Sequence, residues 1–137
     1  MTVAVFDASV AVKWLVADDR LAPPALAARE RYEAAAPRLI QIEVANALWK
    51  YVRLGAAPLD AAVEGVAVLD DIMDLTPDER LLERAQRLSA QINHPVYDCL
   101  YLVLARDGGM PLVTADRRLA EKSRALGVET VLISEDA

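Results

Sequence analysis

Hydrophobic and polar residues follow two different periodicities along this chain, which predicts strands and helices in turn. Short apolar runs that end at polar or turn residues are typical of buried strands. The predicted strands are Thr2–Phe6, Ala35–Pro37, Ile72–Leu75, Pro111–Thr114 and Thr130–Ile133. Longer stretches with apolar residues every three or four positions are typical of amphipathic helices. The predicted helices are Ala8–Ala17, Pro23–Ala34, Arg38–Leu54, Pro58–Asp71, Asp78–Ile92, Val96–Arg106 and Asp116–Leu126.

Strands and helices alternate throughout, which favours βαβ crossovers and a parallel sheet covered by helices on both faces. Gly55 and Gly127 follow predicted helices, where C-cap glycines are common. The longest predicted helix carries apolar residues at helical spacing, which predicts a packed stripe. The residues of this stripe are Ile42, Ala45, Trp49 and Val52. The segment from Glu135 to Ala137 is predicted to be a loose polar tail.

Length and composition describe a domain-sized chain with a substantial core. The 137 residues fit one domain, residues 1–137, and 55% of them are hydrophobic. Cys99 is the single cysteine, so no internal disulfide forms and nothing indicates an oxidising compartment. Asp7 interrupts the first apolar run, so no secretory pattern is present, and no uncharged apolar stretch is long enough to span a bilayer. We therefore expect a cytoplasmic protein.

Four acids stand at distinctive positions in a chain whose formal net charge is −6. This charge by itself argues against a nucleic-acid binder, because phosphate binding needs Lys and Arg. Asp7 directly follows the first predicted strand, and Asp116 follows a later strand by two residues. Ligands bind at the carboxyl ends of strands in α/β sheets. Asp98 lies in the first turn of an otherwise apolar helix, and Glu43 lies in the longest predicted helix.

Each acid also has an ordinary structural explanation. Asp7 and Asp116 could cap the helices that follow them. Asp98 could complement the dipole of its helix, and Glu43 could be a solvated helix residue. Taken together, two acids at strand ends and two acids in apolar helical surroundings favour a functional cluster.

Such a cluster indicates a metal site. Crowded carboxylates repel one another, so one or more would be protonated near neutral pH unless a cation binds. Carboxylate oxygens suit hard cations, and we expect Mg²⁺ or Mn²⁺, as one ion or two. Such an ion activates water and offsets charge on a leaving oxygen, so the expected reaction is phosphodiester hydrolysis. The candidate catalytic residues and metal ligands are Asp7, Glu43, Asp98 and Asp116.

Other chemistries find less support in the sequence. His94, the single histidine, stands before Pro95 and is better explained as a loop residue than as a general base. One histidine makes a zinc site unusual, and no nucleophile-elbow pattern supports a catalytic serine. The five glycines form no phosphate-binding loop motif. Cys99 lies inside an apolar helix and is expected in the core.

Four segments around the acids form a recognisable set. They are Phe6–Val10, Ile42–Leu48, Tyr97–Asp98 with the apolar run after it, and Leu112–Leu119. In this order and at this chain length they resemble the PIN-domain family, especially the VapC-type toxins of prokaryotic toxin–antitoxin pairs. The resemblance covers essentially the whole chain, and all four acids match.

The resemblance implies a Rossmann-like three-layer α/β/α sandwich with a parallel sheet of about five strands. It implies Mg²⁺- or Mn²⁺-dependent endoribonuclease activity, with the four acids as metal ligands and water activators. Thr114 and Ser9 would support the acidic pocket. The last acid, Asp116, varies most in the family, so a direct ligand role for it stays open. The resemblance further implies an RNA substrate, a homodimer and a cognate antitoxin, a separate chain that binds an apolar groove and supplies any contact with DNA.

Two divalent ions would balance the charge of the four acids, which explains how an acidic chain could hold RNA. Basic residues near the acidic motifs are candidates for phosphate contact, and solvated helix charges or salt bridges explain them equally well. These residues are Lys13, Lys50, Arg117 and Arg118. Trp14 is expected to pack in the core rather than to stack on a base.

Three functions other than a nuclease could also use acids at these positions. A phosphatase or phosphotransferase would use Asp7 as nucleophile, but Ser9 occupies the position where that chemistry usually needs a second acid. A phospho-receiver domain would need an acidic pair after the first strand and a lysine after a late strand, and neither is evident. A degenerate PIN-like interaction or regulatory module without catalysis is disfavoured by the intact set of four acids.

Overall fold

The computed structural model describes residues 1–16 and 18–135, which form five strands and seven α-helices. The strands are β1 (Val3–Phe6), β2 (Glu33–Pro37), β3 (Met73–Thr76), β4 (Leu112–Thr114) and β5 (Thr130–Leu132). The helices are α1 (Ala8–Ala11), α2 (Ala22–Arg31), α3 (Leu39–Arg53), α4 (Leu59–Ile72), α5 (Leu82–Ile92), α6 (Val96–Gly108) and α7 (Arg117–Ala125). Short 3₁₀ turns lie at Val12–Trp14 and Asp78–Arg80. The predicted alternation of strands and helices is confirmed.

The five strands form one parallel sheet in the order β3-β2-β1-β4-β5. From the central β1 the chain moves outward through β2 and β3, and β4 then pairs with the other edge of β1. The strand order therefore reverses between β1 and β4. In sheets of this kind, the crevice at the carboxyl ends of the two strands flanking such a reversal is the usual ligand site. The predicted α/β class with a parallel sheet of about five strands is confirmed.

Helix α6 packs against β1, β2 and β4, with α5 against its other side. Its inward residues are nearly all buried, which explains why this helix lacks a long polar face. The buried residues are Cys99, Leu100, Tyr101, Leu102, Val103 and Ala105. Cys99 lies in the core as expected, and burial, reinforced by the charge of Asp98, raises the pKa of its thiol to about 11. This thiol is therefore not a nucleophile near neutral pH.

Helix α3 packs on the core through a different face from the one predicted. Its buried residues are Ile40, Val44 and Leu48, whereas Ile42 and Trp49 of the predicted stripe are 68% and 52% exposed. The helix carries two apolar faces, and helical periodicity does not say which one meets the sheet. The outer face borders an apolar groove of about 310 Å³ between α3 and α4, the α3–α4 groove. Its lining residues are Ala45, Leu48, Trp49, Val52, Leu59, Ala62, Val63 and Val66.

Strand β2 begins at Glu33, so the prediction of a helix reaching Ala34 is wrong. Alanine favours helices, but Ala34, Ala35 and Ala36 are buried between β1 and β3, where strand pairing outweighs local propensity. Helix α2 ends at Arg31.

The helix predicted from Ala8 is shorter than expected, because α1 ends at Ala11 and a 3₁₀ turn continues it to Trp14. The predicted end of this helix, Ala17, lies outside the described residues, as do Asp136 and Ala137 of the predicted tail. Glu135 forms an ion pair with Arg20 at 3.0 Å, so this part of the tail has a partner.

Trp14 lies against the core as expected. Its ring meets Phe6 edge-on at 5.2 Å between centroids, and its Nε1–H donates to the carbonyl oxygen of Ala25 at 3.0 Å. Across residues 1–16 and 18–135, none of the helices has the length and apolar character needed to cross a membrane.

Candidate active site

Two of the acids meet at the crevice where the strand order reverses. Asp7 directly follows β1, and Asp116 follows β4 by two residues. Asp7 is 6% exposed, and its side chain makes no hydrogen bond that caps α1. The explanation of Asp7 as a helix cap is therefore wrong. A carboxyl group buried at the sheet edge where ligands usually bind, and without a capping hydrogen bond from its side chain, is a candidate for function.

Ser9 and Thr114 connect Asp7 to the end of β4. The Ser9 hydroxyl donates to Asp7 Oδ1 at 2.7 Å and accepts a hydrogen bond from the backbone N–H of Ala115 at 2.9 Å. The hydroxyl oxygens of Ser9 and Thr114 are 3.3 Å apart, and Thr114 Oγ1 accepts from the backbone N–H of Asp116 at 3.0 Å. These contacts connect β1, α1 and β4 at the crevice, and the role of Ser9 and Thr114 in supporting an acidic pocket stays a prediction.

Burial sets the proton affinity of Asp7. Loss of solvation raises the pKa of its carboxyl group from 3.8 to about 7. Hydrogen bonds from Ser9 and Thr114 oppose this rise, whereas the charges of Asp98 and Asp116 add to it. Asp98 and Asp116 therefore each lie near enough to Asp7 for their charges to act on it.

Glu43 is held by a tyrosine from another helix. The Tyr101 hydroxyl on α6 donates to Glu43 Oε1 on α3 at 2.6 Å. Partial burial raises the pKa of Glu43, the Tyr101 hydrogen bond lowers it, and the charges of Asp98 and Asp78 raise it again. Burial and the neighbouring Glu43 charge in turn raise the pKa of Tyr101 far above its usual range, so the tyrosine remains a donor. Glu43 is therefore not a freely solvated helix residue.

Asp98 lies one turn before Tyr101 on α6 and has its own partner. Nε2 of the buried His94 lies 2.7 Å from Asp98 Oδ2, and the side chain of Asp98 is 28% exposed. Asp98 also raises the pKa values of Asp7 and Glu43. The charge of Asp98 therefore acts on both Asp7 and Glu43, although these acids lie at the end of β1, on α3 and on α6.

Asp116 does cap a helix. Its Oδ1 accepts hydrogen bonds from the backbone N–H groups of Arg118 at 2.9 Å and Leu119 at 3.2 Å, at the start of α7. The residue is exposed. A cap occupies only one carboxylate oxygen, so Asp116 can serve α7 and still contribute charge to the crevice near Asp7.

The donor set fits a divalent cation. Glu43, Asp98 and Asp116 use Oε1, Oδ2 and Oδ1 for the hydrogen bonds described above, and no hydrogen bond found among the described residues reaches the other oxygen of each group. Among these residues, no three acid, histidine or cysteine side chains stand close enough to enclose one ion as they are placed. Mg²⁺ does not need such a cage, because it is usually held by one or two carboxylates and keeps several waters.

The four predicted phosphate-contacting cations differ in their surroundings. Lys13 Nζ forms an ion pair with Asp19 Oδ2 at 2.6 Å, and the lysine side chain is 19% exposed. The structure therefore favours a salt bridge over phosphate contact for this residue. The salt bridge also holds the pKa of Asp19 below its usual value. Lys50, Arg117 and Arg118 are exposed, and the ion pairs found among the described residues do not include them. These three remain candidates for contact with a phosphate backbone.

Sequence reasoning missed three residues of the site. Tyr101 and His94 contact acids directly, and Asp78 lies near Glu43 and accepts the first backbone N–H of α3, from Leu39, at 3.0 Å. Helical spacing was the available signal for Tyr101, because it lies one turn after Asp98 on the same helix. Asp78 follows β3 by two residues, the same relation that Asp116 has to β4.

Comparisons with known proteins agree with this architecture. The PIN domain family model matches residues 4–125. Ribonuclease VapC3 of Pyrobaculum aerophilum is 33% identical over 125 residues, which cover 89% of this chain and 95% of the relative. Exonuclease VapC9 of the same organism is 33% identical over 106 residues, which cover 77% of this chain and 79% of the relative.

Two solved structures share the fold. The crystal structure of PAE2754 from Pyrobaculum aerophilum superposes with a TM-score of 0.71 at 28% identity, covering 95% of this chain and 84% of that one. VapBC-5 from Mycobacterium tuberculosis, described as a member of the VapBC family of toxin–antitoxin systems, superposes with a TM-score of 0.52 at 22% identity. That match covers 97% of this chain and 100% of the other. Because the family model spans most of the sequence and two relatives reach 33% identity over most of their length, this chain belongs to the PIN-domain family.

Proposed function

We propose that this chain is a Mg²⁺- or Mn²⁺-dependent endoribonuclease and the toxin of a type II toxin–antitoxin pair. The observation that carries the proposal is the burial of Asp7 in the crevice beside Asp98 and Asp116, where the pKa of its carboxyl group rises to about 7. Burying one carboxylate beside other acids destabilises a fold unless a cation compensates its charge. Such an arrangement is typical of a site that binds a divalent ion and a phosphate.

Each acid has a role in this proposal. Asp7 together with Asp98 or Glu43 would hold the ion, and Asp116 would add negative charge at the rim and still cap α7. A divalent ion in such a site supplies positive charge that stabilises the phosphate and makes water a better nucleophile. Ser9 and Tyr101 orient Asp7 and Glu43 through hydrogen bonds of 2.7 and 2.6 Å.

RNA as the substrate is supported by the relative named a ribonuclease, whereas the other relative is named an exonuclease. Internal cleavage and cleavage from an end are distinguished by a circular RNA, which only an endonuclease can open. We expect the purified chain to open a circular RNA with Mg²⁺ or Mn²⁺ and to lose this activity in EDTA. Cleavage of the linear RNA alone would contradict the endonuclease assignment.

Site variants test whether the acids are responsible. Asp98→Asn keeps the size of the side chain and removes its charge, and we expect cleavage to fall at least about a hundredfold. Asp60→Asn makes the same chemical change at an exposed position in the first turn of α4 and should leave cleavage unchanged. No metal-dependent cleavage by the wild type would instead support the alternative of a PIN-like module without catalysis.

The antitoxin would bind the α3–α4 groove. Exposed apolar side chains from both helices line it, including Trp49 at 52%, Leu59 at 63% and Val63 at 61% exposure. An amphipathic helix places its apolar face into a groove of this kind. The solved relative from the VapBC family supports a toxin–antitoxin context. A homodimer, contact with DNA through the antitoxin and a cytoplasmic location belong to the same proposal.

A further inference from the structure

His94 is held rigidly between α5 and α6. Its backbone N–H donates to the carbonyl oxygen of Ser89 at 3.2 Å, and its own carbonyl oxygen accepts from the Ser89 hydroxyl at 2.6 Å. Asn93 before it adopts the left-handed conformation, with φ at 52°, and Pro95 after it fixes the backbone. The imidazole side chain is 2% exposed. The backbone contacts and the burial therefore fix the position of the imidazole ring.

The surroundings of the ring assign its hydrogen. Nε2 lies 2.7 Å from Asp98 Oδ2, whereas Nδ1 is buried and has no hydrogen-bond partner among the described residues. A hydrogen on Nδ1 would be a buried donor without an acceptor, and leaving a donor unpaired is costly. The tautomer with its hydrogen on Nε2 avoids this cost and donates to Asp98.

We propose that His94 is a positioning residue for Asp98. Its Nε2–H holds Asp98 Oδ2, so the carboxylate keeps one orientation and Oδ1 is left as the oxygen available to a divalent cation. Hydrogen bonds from neighbouring groups commonly orient metal-binding side chains in this way, and their loss typically weakens binding. This inference rests on the proposed function, because it assigns Asp98 to the cation.

A rival explanation is that His94 only fills space between α5 and α6. Filling space predicts that a residue of the same size without a donor lowers stability and leaves cation affinity unchanged. A positioning role predicts that cation affinity is kept when the residue at position 94 can donate a hydrogen bond to Asp98 and falls when it cannot. The two explanations therefore differ in a measurement that does not depend on RNA cleavage.

The test uses two substitutions of matched length. In His94→Gln, the amide nitrogen lies the same number of bonds from Cα as histidine Nε2, so a donor is retained. In His94→Met, the side chain has the same length and no donor. Mn²⁺ affinity is measured by isothermal titration calorimetry, and the thermal midpoint is measured without metal for each variant.

We expect His94→Gln to bind Mn²⁺ within about threefold of wild type and His94→Met to bind about tenfold more weakly or worse. In an Asp98→Asn background, His94→Met should cause no further loss. Equal affinities for wild type and His94→Met would overturn the positioning role, and so would equal losses in both variants. No Mn²⁺ binding by the folded wild type would overturn the proposed metal-dependent function together with this inference.

A second measurement needs no substitution at this position. His94 is the single histidine of the sequence, so tag-free protein labelled with ¹⁵N gives one set of imidazole signals. We expect nitrogen shifts of the Nε2–H tautomer, a hydrogen on Nε2 that is protected from exchange, and a shift of Nε2 on addition of Mg²⁺. An Nδ1–H tautomer would overturn the inference even if His94→Met failed to fold.

Discussion

Tyr101 on α6 donates its hydroxyl hydrogen to Glu43 on α3 at 2.6 Å, and this contact joins two helices that each carry an acid of the crevice. Asp98 lies one turn earlier on α6, so the same helix presents an acid and the donor that holds another acid. The orientation of Glu43 therefore depends on how α6 packs against the sheet.

We expect Tyr101→Phe to reduce metal-dependent RNA cleavage about tenfold. The ring would still fill its site, but Glu43 would lose the hydrogen bond that lowers its pKa. The Glu43 carboxyl group would then be less well oriented and less fully ionised. Cleavage rates at saturating Mn²⁺ and Mn²⁺ affinity measure the effect. Tyr51→Phe on α3 is the matched control, and an equal loss in both variants would contradict a specific role for Tyr101.

Because the pKa of Asp7 is raised in the folded state, we expect the free energy of unfolding of the metal-free protein to fall as the pH rises. The folded state keeps a proton on Asp7 up to about pH 7, whereas the unfolded chain releases it near pH 3.8. Between these values the folded state binds more protons, so the free energy of unfolding falls with rising pH, in total on the order of a few kcal/mol.

Asp7→Asn removes this penalty and should abolish cleavage. We expect the metal-free variant to melt higher than wild type at pH 8 and close to wild type at pH 4, because at pH 4 the carboxyl group is neutral in the folded state and only partly ionised in the unfolded state. Thermal unfolding at the two pH values measures the difference. If Asp7→Asn were less stable than wild type at pH 8, ionisation of the buried Asp7 carboxyl group would not be what destabilises the wild-type protein.

Ser9→Ala should destabilise the crevice and weaken the site. Ser9 Oγ donates a hydrogen bond to Asp7 and accepts one from the backbone N–H of Ala115. Without the hydroxyl group, this backbone N–H loses its acceptor. We expect a loss of about 1–3 kcal/mol in the free energy of unfolding, measured by urea denaturation. Ser134→Ala, a serine replacement after β5, serves as control. An unchanged unfolding midpoint in Ser9→Ala would mean that water replaces the hydroxyl at little cost.

Val63→Asp in the α3–α4 groove should separate catalysis from regulation. The side chain is 61% exposed in the isolated chain, so a charge is tolerated there and cleavage should persist. Docking of an apolar helix would bury that charge, so inhibition by the cognate antitoxin should weaken at least about tenfold. Glu64→Gln, at the next position, should be inhibited like wild type. Full inhibition of Val63→Asp would place the antitoxin elsewhere.

The acids at the strand ends could be predicted, because apolar runs locate the buried strands and ligands usually bind at the carboxyl ends of such strands. A buried strand followed by an acid places the side chain at the carboxyl edge of the sheet, and this reasoning located Asp7 and Asp116 correctly. It did not reveal that Asp7 is buried without a capping role and Asp116 caps α7. Burial depends on the residues that close over a position, which come from distant parts of the sequence.

Long-range packing also explains why the packed face of α3 was predicted wrongly. The two apolar faces of α3 look equivalent in sequence, but the helix buries Ile40, Val44 and Leu48 and leaves Ile42 and Trp49 exposed. His94 lies in the loop between α5 and α6 as predicted, and its contact with Asp98, four residues later, was not predicted. Local sequence does not encode the choice between the two faces of α3.

The central claim, that acids from different elements share a divalent cation, is tested most directly by crystals soaked in Mn²⁺. Anomalous difference density should show Mn²⁺ at the carboxyl ends of β1 and β4, about 2 Å from an oxygen of Asp7 and from an oxygen of Glu43 or Asp98. The same crystals of Asp98→Asn should show a weaker peak or none. Fully soaked wild-type crystals without Mn²⁺ between these acids would contradict the account.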